Sequence, residues 1–189
     1  MVKVVMIRHG EPDYSYFVGP FYEGYGMELG QLTKKGIDQA KNVALDVRLD
    51  GAQLIVSSPF PRALHTAMLI SRKRDLDVEI QPGLHEWIPN IPYRFTDDAD
   101  YAQPNDDFIK YHGERNENSE YNYESLQEVF ERAYQSLLPY VNYDKIIVVC
   151  HAVLMRAFSY QLDIPHCGII EFDFDENRKY SDNGGDYHG

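Results

Sequence analysis

Twice along the chain a short apolar run stops abruptly at a histidine. Val4-Val5-Met6-Ile7 leads into Arg8-His9-Gly10-Glu11, and Ile146-Ile147-Val148-Val149 leads into Cys150-His151. Neither run alternates apolar with polar residues, so neither offers a face to water. Such a strand must be covered on both sides, as strands of a parallel sheet between helices are. The runs therefore predict an α/β protein, a three-layer α/β/α sandwich around a mostly parallel central sheet. Ligands in sheets of this kind gather at the carboxyl ends of the strands. Both histidines fall there, and the sheet can bring them side by side.

The remaining segments supply helices and further strands. Thr33 is placed to cap a helix in which Ile37, Ala40, Ala44 and Val47 keep helical spacing, with Gly51 as its break. Residues 53–57 read as a second strand, and Ser58-Pro59 turns into a helix carrying Ala63, Ala67 and Ile70. A third strand is expected around 78–80. Leu126, Val129, Phe130, Ala133 and Leu137 mark an amphipathic helix ahead of the strand at 145–150. Residues 152–162 read as a buried helix. Ile170, Phe172 and Phe174 alternate with charged residues as an edge strand does.

Two stretches break this rhythm. Residues 10–31 form a loop rich in Gly, Tyr and Pro, too long for a plain connector and so expected to be functional. Residues 88–122 carry Asp97-Asp98, Asp106-Asp107 and Asn/Glu clusters without sustained periodicity. They read as a lid-like excursion from the sheet with one short helix near 106–111. Several of the fifteen tyrosines bunch between Tyr93 and Tyr123, where they are expected to pack on one another. The expected organisation is one domain over residues 1–175, with the lid at 88–122, and a polar tail over 176–189. A chain of 189 residues fills one core and hardly two.

Composition narrows the partners. A net charge of −12 argues against nucleic acid and against an anionic membrane surface. No run approaches the apolar length that crosses a bilayer, and Met1-Val2-Lys3 enters a strand directly, without a basic-then-apolar leader. Cys150 and Cys167 are too few for a disulfide framework, which makes a cytoplasmic setting the default expectation. Oligomeric state is left open, and a homo-oligomer is compatible with the sequence.

Four polar groups fall just beyond strands or their turns: Arg8-His9, Arg62, Glu86 and His151. Each alone has an ordinary structural explanation. Together, two arginines and two histidines form a compact anion site, and the guanidinium fork suits a phosphate. Gly24-x-Gly26-x-x-x-Gly30 has the wrong spacing for a dinucleotide fingerprint. His9, His65, His85 and His151 lack metal-site spacing, and neighbouring arginines would repel a cation, so no metal and no cofactor is expected. Cys150, at a buried strand end, is expected to behave as a small apolar residue.

The same residues carry a family resemblance. Arg8-His9-Gly10-Glu11, Leu32-Thr33-x-x-Gly36-x-x-Gln39-Ala40, Ser57-Ser58-Pro59-x-x-Arg62-Ala63-x-x-Thr66-Ala67, Leu84-x-Glu86 and His151 with Arg156 follow one another in order. They resemble the histidine phosphatase superfamily, the phosphoglycerate mutase-like fold, over residues 2 to about 160. The resemblance implies that His9 is the nucleophile, that Arg8, Arg62 and His151 hold the phosphoryl oxygens, and that Glu86 protonates the leaving group. It also implies a neutral His9 and a protonated His151, whose pKa values should part. Two departures stand out. Ser15 occupies a place where many relatives have a phosphate-touching Asn, and Ala152 follows the second histidine where Gly is usual; both are still expected to bind substrate, Ser15 through its hydroxyl and Ala152 through its backbone N–H.

The expected activity is a metal-independent phosphatase acting on a small phosphorylated metabolite through a phosphohistidine. A phosphoglycerate mutase-type transferase would need extra basic residues in the lid, and only Arg94, Lys110 and Arg115 are there amid many acids. A protein phosphohistidine phosphatase fits less well, because those relatives are shorter and generally lack the acid supplied by Glu86. A catalytically silent phosphoanion-binding module is the remaining alternative.

Overall fold

The computed structural model describes residues 1–15, 27–91, 99–115, 117–159, 161 and 163–183. Five strands form the central sheet: β1 (Val2–Arg8), β4 (Leu54–Ser57), β5 (Val78–Ile80), β6 (Lys145–Cys150) and β7 (Ile169–Phe174). β2 (Pro12–Asp13) and β3 (Gln31–Leu32) make a separate two-stranded ribbon. The order across the sheet is β5-β4-β6-β1-β7. All neighbours run parallel except β7, which is antiparallel to β1 at the edge.

Register is what builds the site. β1 and β6 are adjacent, with Arg8 level with Cys150, so His9 and His151 leave the sheet at the same height. The ladder continues one step past the strands, where His9 N–H donates to the Cys150 carbonyl at 3.0 Å and Ser58 N–H to the Val149 carbonyl at 2.9 Å.

The runs without polar alternation are explained by two cores. Val2, Val4, Met6, Val56, Ile146 and Val148 face α4 (Leu126–Leu137) and α5 (Ala152–Arg156), together with Trp87, Phe108 and Tyr123. Val5, Ile7, Ile55, Ile147 and Val149 face α1 (Lys34–Val43) and α2 (Pro61–Arg74). The three-layer sandwich expected from sequence is therefore the observed architecture. No helix among the described residues is long and apolar enough to cross a membrane.

Helix ends follow local chemistry. Thr33 caps α1, its hydroxyl accepting from Gly36 N–H at 2.9 Å. Ser125 and Glu128 form a reciprocal capping box on α4.

Three helices differ from expectation. α1 stops at Val43, because the Asp46 carboxylate captures Arg48 N–H and starts a separate turn over Val47–Leu49. Val47 is thereby 77% exposed and Leu49 takes the buried place. α3 spans Ala99–Lys110, twice the length expected, despite Pro104 inside it. α5 ends at Arg156, and the Phe158 carbonyl just beyond it accepts from the Arg178 guanidinium at 2.9 Å. Leu162, the expected helix end, lies outside the described residues.

Candidate active site

His9 is 3% exposed, and its ring is oriented by the next peptide. Nδ1 lies 2.7 Å from the Gly10 carbonyl, which can only accept, so the proton resides on Nδ1. That assignment leaves a lone pair on Nε2. Arg62 Nε donates to this atom at 3.3 Å. The His151 ring stands 5.1 Å from the His9 ring, edge on. His151 is fully buried, with Nε2 bonded to the Ser58 hydroxyl at 2.8 Å. Its Nδ1 is buried without a hydrogen-bond partner.

Arg62 comes from the first turn of α2, started by Pro61 at a position where a missing N–H costs nothing. Its guanidinium lies 5.0 Å from the Phe60 ring and 5.9 Å from the Tyr14 ring, a cation in reach of two aromatic faces. The Arg8 guanidinium donates to the Ile164 carbonyl at 2.5 Å, which ties the end of β1 to the loop ahead of β7.

The remaining motif residues form the frame beneath His9. Gly10 and Gly36 meet back to back. A Cβ on Gly10 would stand 2.4 Å from the Gly36 carbonyl oxygen, and a Cβ on Gly36 would stand 2.2 Å from that of Glu11. Only glycine at both positions lets α1 approach the His9 loop this closely. Gly10 N–H donates to the Thr66 hydroxyl at 3.1 Å and Glu11 N–H to the Gln39 side-chain oxygen at 2.8 Å. The Glu11 carboxylate accepts from Thr33 at 3.0 Å and pairs with Lys35 at 2.6 Å. Glu11 is thus a bracket between the loop and α1.

Burial pushes the His9 pKa well below its ordinary value, and the positive charge of Arg62 adds to the shift. His151 is lowered well below its ordinary value as well, again by burial first and Arg62 second. The two do not part in opposite directions as the resemblance implied, because the same desolvation and the same guanidinium act on both rings. Cys150 is held well above its usual pKa by complete burial, and burial pushes Cys167 up to about 12. Neither thiol is disposed to ionise, which matches the inert reading of Cys150.

Glu86 lies in the loop after β5. Its Oε1 accepts from Trp87 N–H at 2.9 Å, and the carboxylate charge acts on the Tyr14 phenol, as do Arg62 and Arg8. Glu86, Arg62 and Arg8 thus each lie close enough to act on Tyr14. Ser15 is placed differently. It is exposed, and both its N–H and its hydroxyl engage Asp13. Ala152 opens α5 in helical backbone without a positive φ, so the departure from glycine there carries no strain.

Sequence reasoning did not single out Tyr14, Ser58 as partner of His151, or His166. The His166 ring lies 5.7 Å from that of His9, and burial, with the charge of Arg8 adding to it, lowers its pKa. Tyr14 and His166 sit in irregular segments, where no periodicity marks them. Of the three basic lid residues, Arg115 is committed to Glu128 by two bonds of 2.9 and 2.8 Å, and Lys110 lies exposed over the Tyr111 ring. Arg94 lies outside the described residues.

A doubly covered sheet with two histidines, two arginines and a carboxylate beyond its carboxyl edge defines a class of phosphate-binding α/β protein. Residues 4–180 match the family model for the Histidine phosphatase superfamily (branch 1), and the chain belongs to that family. Adenosylcobalamin/alpha-ribazole phosphatase of Escherichia coli (strain K12) is 34% identical over 85 residues, 45% of this chain and 40% of that protein. The chain thus aligns with less than half the length of that relative. Phosphoserine phosphatase 1 of Hydrogenobacter thermophilus is 26% identical over 168 residues, 83% of this chain and 74% of that protein. In fold, the chain is similar to the mycobacterial glucosyl-3-phosphoglycerate phosphatase, with a TM-score of 0.65 and 18% identity over 90% of this chain and 89% of that one.

Proposed function

We propose that the protein is a metal-independent phosphatase that hydrolyses a small phosphomonoester through a phosphohistidine on His9. The observation that carries this reading is the state of the His9 ring. Gly10 holds the proton on Nδ1, burial and Arg62 keep the imidazole neutral, and the Nε2 lone pair faces the guanidinium.

In the first step Nε2 attacks phosphorus, the P–O bond to the leaving alcohol breaks, and Glu86 gives that oxygen its proton. Arg62 exchanges its bond to Nε2 for one to a phosphoryl oxygen, and Arg8 takes another. Two guanidiniums thereby supply the charge stabilisation that phosphoryl transfer requires. His151 contributes hydrogen-bonding capacity at its unpaired Nδ1, in a ring held by Ser58. In the second step water attacks the phosphohistidine, Glu86 accepts its proton, and His9 is regenerated. Ala152, at the first turn of α5, adds a backbone N–H on the His151 side. Ser15, turned to Asp13, has no assigned part.

The relatives' names specify phosphatases of α-ribazole and phosphoserine, which supports a small monoester as substrate. Tyr14 and Phe60 flank Arg62, and His85 lies 6.2 Å from Phe60, so the surroundings favour a neutral or planar body beside the phosphate. Hydrolysis is favoured over a mutase reaction by the commitment of Arg115 to Glu128, which leaves it unavailable to a second acidic group.

Turnover of p-nitrophenyl phosphate in the presence of a chelator tests this reading. Activity that resists the chelator and disappears in His9→Ala is expected. Activity surviving in His9→Ala would overturn the proposal. Phosphate binding without turnover of any monoester would identify a silent module. Transfer from 3-phosphoglycerate with a bisphosphate primer would identify a mutase.

A further inference from the structure

Glu86 lies in a segment without helix or strand, yet a proton donor must be held within hydrogen-bond reach of the leaving oxygen. Something outside the segment has to hold it. That group is Arg132, about two turns into α4. All five of its N–H donors are used. Nη1 donates to the Gly83 carbonyl at 2.6 Å and the His85 carbonyl at 2.8 Å, and Nη2 donates to the Glu86 carbonyl at 3.2 Å. The other two donors form a fork on Glu124, with Nε to Oε1 at 2.6 Å and Nη2 to Oε2 at 2.9 Å.

Glu124 completes the clamp from the lid side. Its Oε2 accepts from Ile88 N–H at 3.2 Å, and its carbonyl accepts from Trp87 Nε1 at 2.6 Å. Its own N–H donates to the Ile88 carbonyl at 2.8 Å. The backbone is therefore gripped at residues 83, 85 and 86 by Arg132 and at residue 88 by Glu124, whose carbonyl also holds the Trp87 indole. Both side chains are largely buried, at 17% and 9% exposure, so solvent competes little for these bonds. No other amino acid offers five donors in a rigid plane, and a lysine could satisfy only part of the set.

We propose that Arg132, braced by Glu124, is the positioning residue for the Glu86 acid. The inference rests on the reading of Glu86 as proton donor, and the two can fail separately. Arg132→Lys is the informative change, because it keeps the positive charge that acts on His85 and His151 while removing the fork. The assay compares kcat/KM for two monoesters, 2,4-dinitrophenyl phosphate and a simple alkyl phosphate. Only the alkyl ester needs a proton on its leaving oxygen.

Glu86→Gln should lower the alkyl-ester rate at least tenfold more than the aryl-ester rate. Arg132→Lys should show the same selective loss at smaller size, and should add no further selectivity in the Glu86→Gln background. Should Arg132→Lys fail to fold, Glu124→Gln, which keeps one accepting oxygen, should give the same selective loss. A selective loss in Glu86→Gln combined with an equal loss on both esters in the clamp variant would overturn the positioning role. No selectivity in Glu86→Gln itself would instead overturn the acid assignment.

Discussion

Replacing Gly36 with alanine tests whether the packing of α1 against the His9 loop sets the reactive geometry. The new Cβ would stand 2.2 Å from the Glu11 carbonyl oxygen and 2.8 Å from Glu11 N. Both are backbone atoms and neither can swing aside. Restoring ordinary contact requires a displacement of about 1 Å between α1 and the loop. Overpacking of this kind costs about 1–3 kcal/mol. Alanine regains about 1 kcal/mol of helix propensity at the same position. With a clash this severe the net loss should be about 2 kcal/mol, which lowers Tm by about 4–8 °C in a chain of this size. The displaced peptide is linked through Gly10 to the ring of His9, and a misplacement of about 1 Å can cost about 100-fold in rate. Gly51→Ala provides the control. Gly51 has φ +77° and no atom within 4 Å of a Cβ, so alanine there costs about 1–2 kcal/mol of left-handed strain without touching the loop. Both variants should melt earlier by calorimetry, but only Gly36→Ala should lose kcat/KM on p-nitrophenyl phosphate. Equal activity in the two variants would refute the reasoning.

Arg62→Met keeps most of the side-chain bulk and removes the charge beside His9. The rate should fall about 100- to 1,000-fold, and the acid limb of the kcat/KM profile should move to higher pH, because Arg62 helps hold the His9 pKa down. Urea titrations should show stability falling as pH drops below about 6.5, the unfolded histidine value. His9 and His151 stay neutral in the fold while the unfolded chain gains protons, so each contributes a slope of up to about 1.4 kcal/mol per pH unit until its folded pKa is reached. His151→Gln should flatten that slope. Cys150 and Cys167 should resist iodoacetamide at pH 8 in the folded protein and react once it is denatured, because burial raises both thiols.

The central sheet was legible because its strands are apolar on both faces, a pattern that only a doubly covered strand explains. The site was legible for the related reason that strand ends in such a sheet converge, which groups His9, Arg62, Glu86 and His151 from their places in the sequence. Gly10 and Gly36 were legible as motif letters, but their cause, a contact between two backbones, has no one-dimensional signature. α3 carries a weak signature because its buried positions among the described residues are Pro104, Asp107 and Phe108, and only the last looks like core. Asp107 is buried because its carboxylate accepts from Glu120 N–H at 3.1 Å. Arg132 was passed over because a charged residue on an amphipathic helix reads as solvated, whereas here it serves the loop across from it. Val47 kept helical spacing on paper, but Asp46 had already ended the helix.

The proposed mechanism requires the phosphoryl group to rest on His9 between the two steps. Rapid alkaline quenching of the protein during turnover of a labelled monoester, followed by peptide mapping, measures this directly. The prediction is an acid-labile, alkali-stable phosphoryl adduct on the peptide holding His9, attached at Nε2 and absent from His9→Ala. An adduct on another residue, or steady turnover with no adduct at any quench time, would contradict it.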